Sequence, residues 1–383
     1  MMISSRLSAL PKYLFASIDE AVSELRKKGV DVIDFGVGDP DLPTPPHIVE
    51  EMIKAVQNPA YHHYPSYIGM PSFREAVAKW YKKVFGVHLD PEREVIALIG
   101  SKEGIAHTPL AFLDPGDISI VPDPAYPVYK NSTILADGVP YSIPLLEDNE
   151  FLPEMEKIPR GVREKAKLLF LNYPNNPTTA VADKQFLREI VEFAYEWNIL
   201  ICYDNPYSEI VFDGYKAPSI LQVRGAKEIG IEFHSLSKTY NMTGWRIGFA
   251  VGCEKTINAL GMVKTNIDSG VFEAVQRAGI KALLGPQECV RENIRVYRER
   301  REGMLELVET LGLEAHIPKA TFYVWAKIKD GTNSIDYCKK LLEKYGIVAT
   351  PGVGFGEYGE GYLRFALTKP LSRIEEAIKR ISE

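Results

Sequence analysis

Cysteine is scarce in this chain: four among 383 residues, at positions 202, 253, 289 and 338. They form no CxxC pair, which leaves neither a dithiol redox motif nor a cysteine-based zinc site. Reduced thiols in a cytoplasmic protein are the expectation. No apolar run reaches 18 residues, so no membrane span is expected. Residues 1–16 carry a short apolar patch without the h-region or cleavage signal of a secretory leader. Positive charge is also short, with 45 Lys and Arg against 51 Asp and Glu, a net −6. Nucleic-acid binding needs a basic stripe, and this balance offers none.

Several chemical signatures are missing too. Gly36-Val37-Gly38 and Gly352-Val353-Gly354-Phe355-Gly356 are glycine-rich, but neither gives G-x-G-x-x-G between a strand and a helix. No Walker A sequence and no H-E-x-x-H occur, and His62-His63 lacks partners at metal-ligand spacing. No metal is therefore expected. Ser235 and Ser237 lie near His234, but adjacency in sequence is not a triad.

What remains is ordinary soluble composition, 45% apolar and 25% charged, over a length that suits two domains. Apolar runs at 95–99, 118–121, 167–171, 199–203, 231–233 and 247–251 read as strands. Between two of them, Phe186, Leu187, Ile190, Val191, Ala194 and Tyr195 recur at helical spacing. Near-continuous apolar strands alternating with helices predict an α/β fold with a mostly parallel sheet covered on both faces. Ser72-Phe73-Arg74-Glu75 reads as a capping box opening a helix to about Phe85, and Ser17-Ile18-Asp19-Glu20 as another, with a stop at Gly29. The last third changes character. A long helix opens at Pro286 and ends near Gly312, followed by a strand at 321–326, a helix at 334–345, a strand at 362–367 and a helix from Ser372. The expected division is a large α/β domain, 41–280, and a smaller α+β domain built from 1–40 and 281–383.

The most telling stretch is Ser235-Leu236-Ser237-Lys238-Thr239-Tyr240-Asn241-Met242-Thr243-Gly244-Trp245-Arg246-Ile247-Gly248. One lysine stands among hydroxyls with an arginine eight residues on, a grouping that suits a small aldehyde bearing a phosphate. The amine can form a Schiff base, while hydroxyls and guanidinium hold the phosphate. Most lone lysines are solvated charges, but this one follows a strand, where α/β proteins bind ligands. Asp204 likewise follows a strand, and is either a cap or a buried carboxylate for a ring nitrogen. Asn176 lies in the turn Asn172-Tyr173-Pro174-Asn175-Asn176-Pro177-Thr178. Gly100-Ser101-Lys102-Glu103-Gly104 joins a strand to a helix start, a good place for phosphate. Tyr126 either faces a ligand or covers a proline-rich loop. Arg364 interrupts an apolar strand and is either outward-facing or functional.

Together these residues resemble the fold-type I aminotransferases that use pyridoxal 5′-phosphate. The resemblance implies that Lys238 carries the cofactor and acts as the catalytic base. It implies that Asp204 pairs with the pyridine nitrogen and that Tyr207 meets the phenolic oxygen. Ser101, Lys102, Ser235, Ser237 and Arg246 would cup the phosphate, Tyr126 would stack on the ring, and Tyr64 would reach the phosphate from the partner in a homodimer. Asn176 would contact both the ring oxygen and the substrate carboxylate, Arg364 would grip that carboxylate, Tyr126 would also meet the substrate, and Gly38 would allow close backbone approach. Thr179 departs from the family, where glycine is usual.

A narrower resemblance, to aminotransferases acting on LL-2,6-diaminopimelate, rests on further motifs. These are Tyr13-Leu14-Phe15-Ala16, Gly36-Val37-Gly38-Asp39-Pro40-Asp41, Gly100 to His107, Asp123-Pro124-Ala125-Tyr126-Pro127-Val128-Tyr129, and Gly354 to Tyr362. It implies substrate contacts from Tyr13 and Lys102, a distal pocket fed by segment 264–270 of the partner, and 2-oxoglutarate as co-substrate in lysine biosynthesis. An alanine- or aspartate-type aminotransferase and a lyase of the same fold are the alternatives. A cofactor-sensing regulator lacks its basic helix-turn-helix here.

Overall fold

A computed structural model describes residues 3–11 and 16–383. Its strands are β1 (Ile33–Asp34), β2 (Val95–Leu98), β3 (Ile118–Asp123), β4 (Val139–Pro144), β5 (Ala166–Asn172), β6 (Leu200–Asp204) and β7 (Gly230–Ser235). They continue with β8 (Gly248–Gly252), β9 (Glu314–Ala315), β10 (Tyr323–Lys327), β11 (Ile347–Val348), β12 (Thr350–Pro351) and β13 (Tyr362–Ala366). Seven of them form one sheet in the order β2-β8-β7-β6-β5-β3-β4. Every pairing in it is parallel except the two made by β8. The expected mostly parallel sheet is present.

Burial explains why the central strands are legible as apolar runs. All residues of β8, and all but the last of β7, are buried, so both faces favour apolar side chains; the exceptions on β7, Glu232 and His234, bond each other at 2.7 Å. Phe233, fully buried on β7, would cost about 3–5 kcal/mol if cut to alanine. Strand β4 escaped the sequence reading. It is the edge strand, mostly half-buried, and carries Pro140 and Pro144, which an edge tolerates.

Helices cover the sheet. The Pro71–Phe85 helix starts with Pro71 in its first turn and has no side-chain cap. The Ser72 capping box is therefore not made: proline at the first helical position has already set the backbone and removed one orphan donor. The box at Ser17 lies outside the described side chains, within a helix at Ala16–Lys27. The long helix spans Glu288–Thr310, two residues inside Pro286.

A second apolar cluster surrounds the four-stranded sheet β12-β13-β10-β9. Val22, Ile33 and Phe35 join it from the N-terminal side, and β1 pairs in parallel with β11. The Glu288–Thr310 helix bridges the two cores, with Val290 in the first and Tyr297, Met304 and Leu307 in the second.

Candidate active site

The parallel strands β5, β6 and β7 end in Asn172, Asp204 and Ser235 at one cavity of about 1010 Å³, the position where open α/β sheets bind ligands. Its wall includes Ser101, Lys102, Tyr126, Asn176, Asp204, Tyr207, Ser235, Ser237, Lys238, Arg246, Gly38 and Arg364. Those residues come from seven different chain segments, which the fold alone brings together. Tyr64 does not line the cavity and is 91% exposed. Tyr13 lies outside the described residues.

Lys238 sits in the short Leu236–Thr239 helix, which Ser235 caps through the backbone N–H of Ser237. Its Nζ donates to the carbonyl of Gly38 at 3.3 Å and lies 5.6 Å from the Phe322 ring centre. Opposite stands Asp204, the last residue of β6, almost wholly buried. Its Oδ2 accepts the Tyr129 hydroxyl at 2.6 Å, whereas Oδ1 is buried without a partner. Burial pushes the Asp204 carboxyl up to about 7, against the opposing pull of the Tyr129 hydrogen bond and the Lys238 charge. An orphaned carboxylate oxygen is costly, and a protonated ring nitrogen would satisfy it.

The turn after β5 is a hydrogen-bonded scaffold. Asn172 donates to the Asp204 carbonyl at 2.7 Å and accepts the Asn176 N–H at 2.8 Å. Asn175 accepts from both the backbone and the hydroxyl of Thr178. Thr179 adopts φ +63°, the left-handed backbone that favours glycine, and still donates to the Asn175 carbonyl at 3.1 Å. The turn thus keeps its geometry despite a β-branched residue, at a cost of about 1–2 kcal/mol.

Asn176 in turn accepts Arg364 Nη1 at 2.7 Å. Arg364, 8% exposed, also donates through Nη2 to the Gly36 carbonyl at 2.9 Å. Its guanidinium carbon lies 4.2 Å from the Tyr323 ring centre and 4.6 Å from that of Phe355. Its Nε has no partner, so donor capacity remains for a carboxylate. The side chain faces the cavity, which removes the outward-facing alternative. Gly38 packs against Tyr323: a Cβ there would lie 2.0 Å from the Tyr323 hydroxyl.

On the other side, Gly100 (φ +101°) precedes the Ser101–Phe112 helix, whose free N–H groups open at the cavity. A Cβ at Gly100 would sit 2.3 Å from Arg246 Nη2, so only glycine permits this approach. Tyr126 leans edge-on against Tyr129 at 5.9 Å, and burial pushes its hydroxyl up to about 12. Tyr207 lies 3.3 Å from the Tyr323 hydroxyl, and burial lifts it well above the usual phenol range.

Sequence reasoning passed over Tyr129, Tyr323, Phe355 and Asn172. Tyr129 lies in the first turn of the Val128–Leu135 helix, and nothing local in the sequence pointed to its bond with Asp204. Within segment 264–270 the side chains differ in reach. Lys264 is fully buried and pairs with Glu103 and Asp268 of its own chain at 2.8–3.2 Å, so its ammonium does not reach outward. Thr265, Asn266, Ile267 and Ser269 are exposed. Glu103, His107 and Asp268 bring ligand atoms within 4.8 Å of one another, but the Lys264 ammonium bonds both carboxylates.

Comparison with known proteins decides the family. The model of the aminotransferases of class I and II matches residues 30–381. The chain belongs to that family. Curated relatives named LL-diaminopimelate aminotransferase include one from Aquifex aeolicus, 57% identical over 99% of this chain and 98% of its own length. Another, from Moorella thermoacetica, is 54% identical over 100% and 98%. Among solved structures, substrate-bound BacF from Bacillus subtilis superposes with a TM-score of 0.94 at 41% identity, covering 100% of this chain and 97% of that one. A Thermus thermophilus aspartate aminotransferase mutant gives 0.92 at 30% identity, covering 99% and 98%. The aminotransferase therefore has the α/β architecture of fold type I. Among the described residues, no helix is long and apolar enough to cross a membrane.

Proposed function

We propose that this aminotransferase uses pyridoxal 5′-phosphate to exchange an amino group between LL-2,6-diaminopimelate and 2-oxoglutarate, in the cytoplasm and as a homodimer. The observation that carries the cofactor is the unpartnered Oδ1 of Asp204 in a cavity that also holds Lys238 and the Gly100–Arg246 contact. The residues fit the group. When bound, it supplies an aldehyde for the Lys238 amine and a cationic ring that draws electrons from the amino acid's Cα.

The chain's own residues do the rest. Asp204 accepts the ring N–H, and Tyr129 holds that carboxylate ionised by donating to its other oxygen. Once the substrate amine has taken its place, Lys238 Nζ would be free to take the proton from the substrate Cα, and in the return half of the exchange it would deliver a proton to the Cα of the amino acid formed. Arg364, oriented by Asn176 and Gly36, binds the α-carboxylate. Tyr207 donates to the phenolic oxygen and Tyr126 covers the ring. Ser101, Ser235, Ser237, Arg246 and the helix N-terminus hold the phosphate. Lys102 stands near Tyr126, 5.9 Å from its ring centre, where it serves both phosphate and substrate. Tyr13 and the partner's exposed 265–269 loop complete the pocket, and Tyr64 of the partner subunit closes the phosphate cup. The first two apolar clusters support a division into 41–280 and 1–40 with 281–383, with Tyr207, Ile210 and Phe212 reaching across into the second and Val290 into the first.

An amino-donor screen with 2-oxoglutarate, including LL- and meso-diaminopimelate, alanine and aspartate, tests the substrate. Activity with aspartate or alanine and none with diaminopimelate would remove the narrower reading. Borohydride reduction of the holoenzyme, followed by peptide mapping, should label Lys238. Lys238→Ala should lose turnover by at least about 10³-fold.

A further inference from the structure

Loop 352–359 contains an unusual density of glycine, and strand β3 ends opposite it in a buried acid. Asp123 closes β3 and is 6% exposed. Its Oδ1 accepts the N–H of Tyr358 at 3.0 Å and its Oδ2 that of Glu357 at 3.3 Å. Two residues on, Ala125 donates to the Phe355 carbonyl at 2.9 Å. Gly356, at φ +141°, lets the loop come this close, since a Cβ would meet Asp123 Oδ1 at 2.0 Å. Gly352 and Gly359 interlock in the same way, each touching the other's carbonyl oxygen. The loop's far side is tied to the Ser334–Tyr345 helix through Glu360, which accepts the Ser334 N–H at 2.6 Å.

Phe355 is the residue this clamp holds. It lines the cavity and lies against the Arg364 guanidinium. The strand end that carries Asp123 also leads directly into Tyr126. One carboxylate thus couples the aromatic face of the site, on one core, to the carboxylate-gripping arginine on the other.

We propose that Asp123 is a positioning residue: by fixing loop 352–359 it presses Phe355 onto Arg364 and so sets the strength of substrate-carboxylate binding. This rests on the reading of Arg364 as the carboxylate anchor. The physical reason is that a guanidinium held against an aromatic ring keeps one plane, and a bidentate carboxylate pair needs that plane.

The test uses the holoenzymes of the wild type, Asp123→Ala, Asp123→Asn, Phe355→Ala, the Asp123→Ala/Phe355→Ala double variant and Arg364→Lys. Steady-state kinetics would be combined with titration of the unreactive dicarboxylate maleate, and cofactor retention followed on dialysis. Asp123→Ala should raise the amino-acid KM and the maleate Kd about tenfold, the equivalent of ~1.4 kcal/mol, with kcat within about threefold and cofactor retention unchanged. Asp123→Asn keeps one acceptor and should fall between. The double variant should be no worse than Phe355→Ala, because both act through one contact. Unchanged KM, additive effects, or a parallel fall in kcat and cofactor retention would overturn the proposal. Should Asp123→Ala not fold, the Asn and Phe355 variants decide alone. If Arg364→Lys leaves maleate binding intact, the anchor reading fails, a result separable from failure of the Asp123 coupling.

Discussion

Asp204 ends a buried strand with one oxygen bonded to Tyr129 and the other bonded to nothing. Its folded-state carboxyl is pushed up to about 7 by burial, above the ordinary 3.8. Between those values the cofactor-free folded chain keeps a proton that the unfolded chain has released. Stability must therefore fall as pH rises through that window, and the penalty is complete above about 7. For this one group the loss is on the order of 4 kcal/mol. Urea unfolding of the cofactor-free protein and of Asp204→Asn at several pH values isolates it, since the asparagine has no such slope. A wild-type minus variant difference that stays flat with pH would refute the argument. At this scale the sequence was informative wherever a polar residue ended an apolar run, as Asp204 does, or interrupted one, as Arg364 does. Tyr129 was unassigned because its partner lies 75 positions away, a distance only the sheet closes.

At the scale of elements, strands buried on both faces announced themselves, because a polar side chain between two helix layers needs a partner, as Glu232 has in His234 and Ser219, and is therefore rare there. The edge strand β4 did not, since partial exposure and two prolines erase that pattern. Turns were legible in place but not in cost. Thr179 sits at φ +63° where the backbone prefers glycine. Thr179→Gly relieves that strain but also frees the unfolded chain, so the net gain should be modest, roughly 0.5–1 kcal/mol. A higher urea midpoint with unchanged kcat is the expected outcome, and a lower midpoint would count against the strain. Gly100 is the opposite case. Gly100→Ala forces a side chain to φ +101° and into Arg246, and should weaken cofactor retention by about tenfold or more, read by dialysis and absorbance.

The whole molecule raises the question of what covers its exposed apolar side chains. Tyr64 at 91%, Met262 at 71% and Ile267 at 56% exposure are large for one chain to leave in water. A homodimer that buries them would also bring Tyr64 to the partner's phosphate cup, as the family resemblance implies. Sedimentation should report a dimer near twice 43.0 kDa. Tyr64→Phe should leave that mass unchanged while cofactor loss on dilution quickens about tenfold. A monomeric, fully active enzyme would refute it.

Lys264 carries a consequence that reaches across these scales. Its ammonium joins Glu103, beside the proposed phosphate cup, to half-buried Asp268 in the partly exposed 264–270 segment, and Glu103 also receives the Ile99 N–H at 2.7 Å. Cup and surface loop therefore stand on a common footing. Lys264→Ala would strand two carboxylates at a cost of about 3–5 kcal/mol. It should lower both the melting temperature and cofactor affinity, although the lysine touches no ligand. A subunit neighbour that grips the loop would by the same linkage steady the cup, making assembly and cofactor retention two readings of one tether.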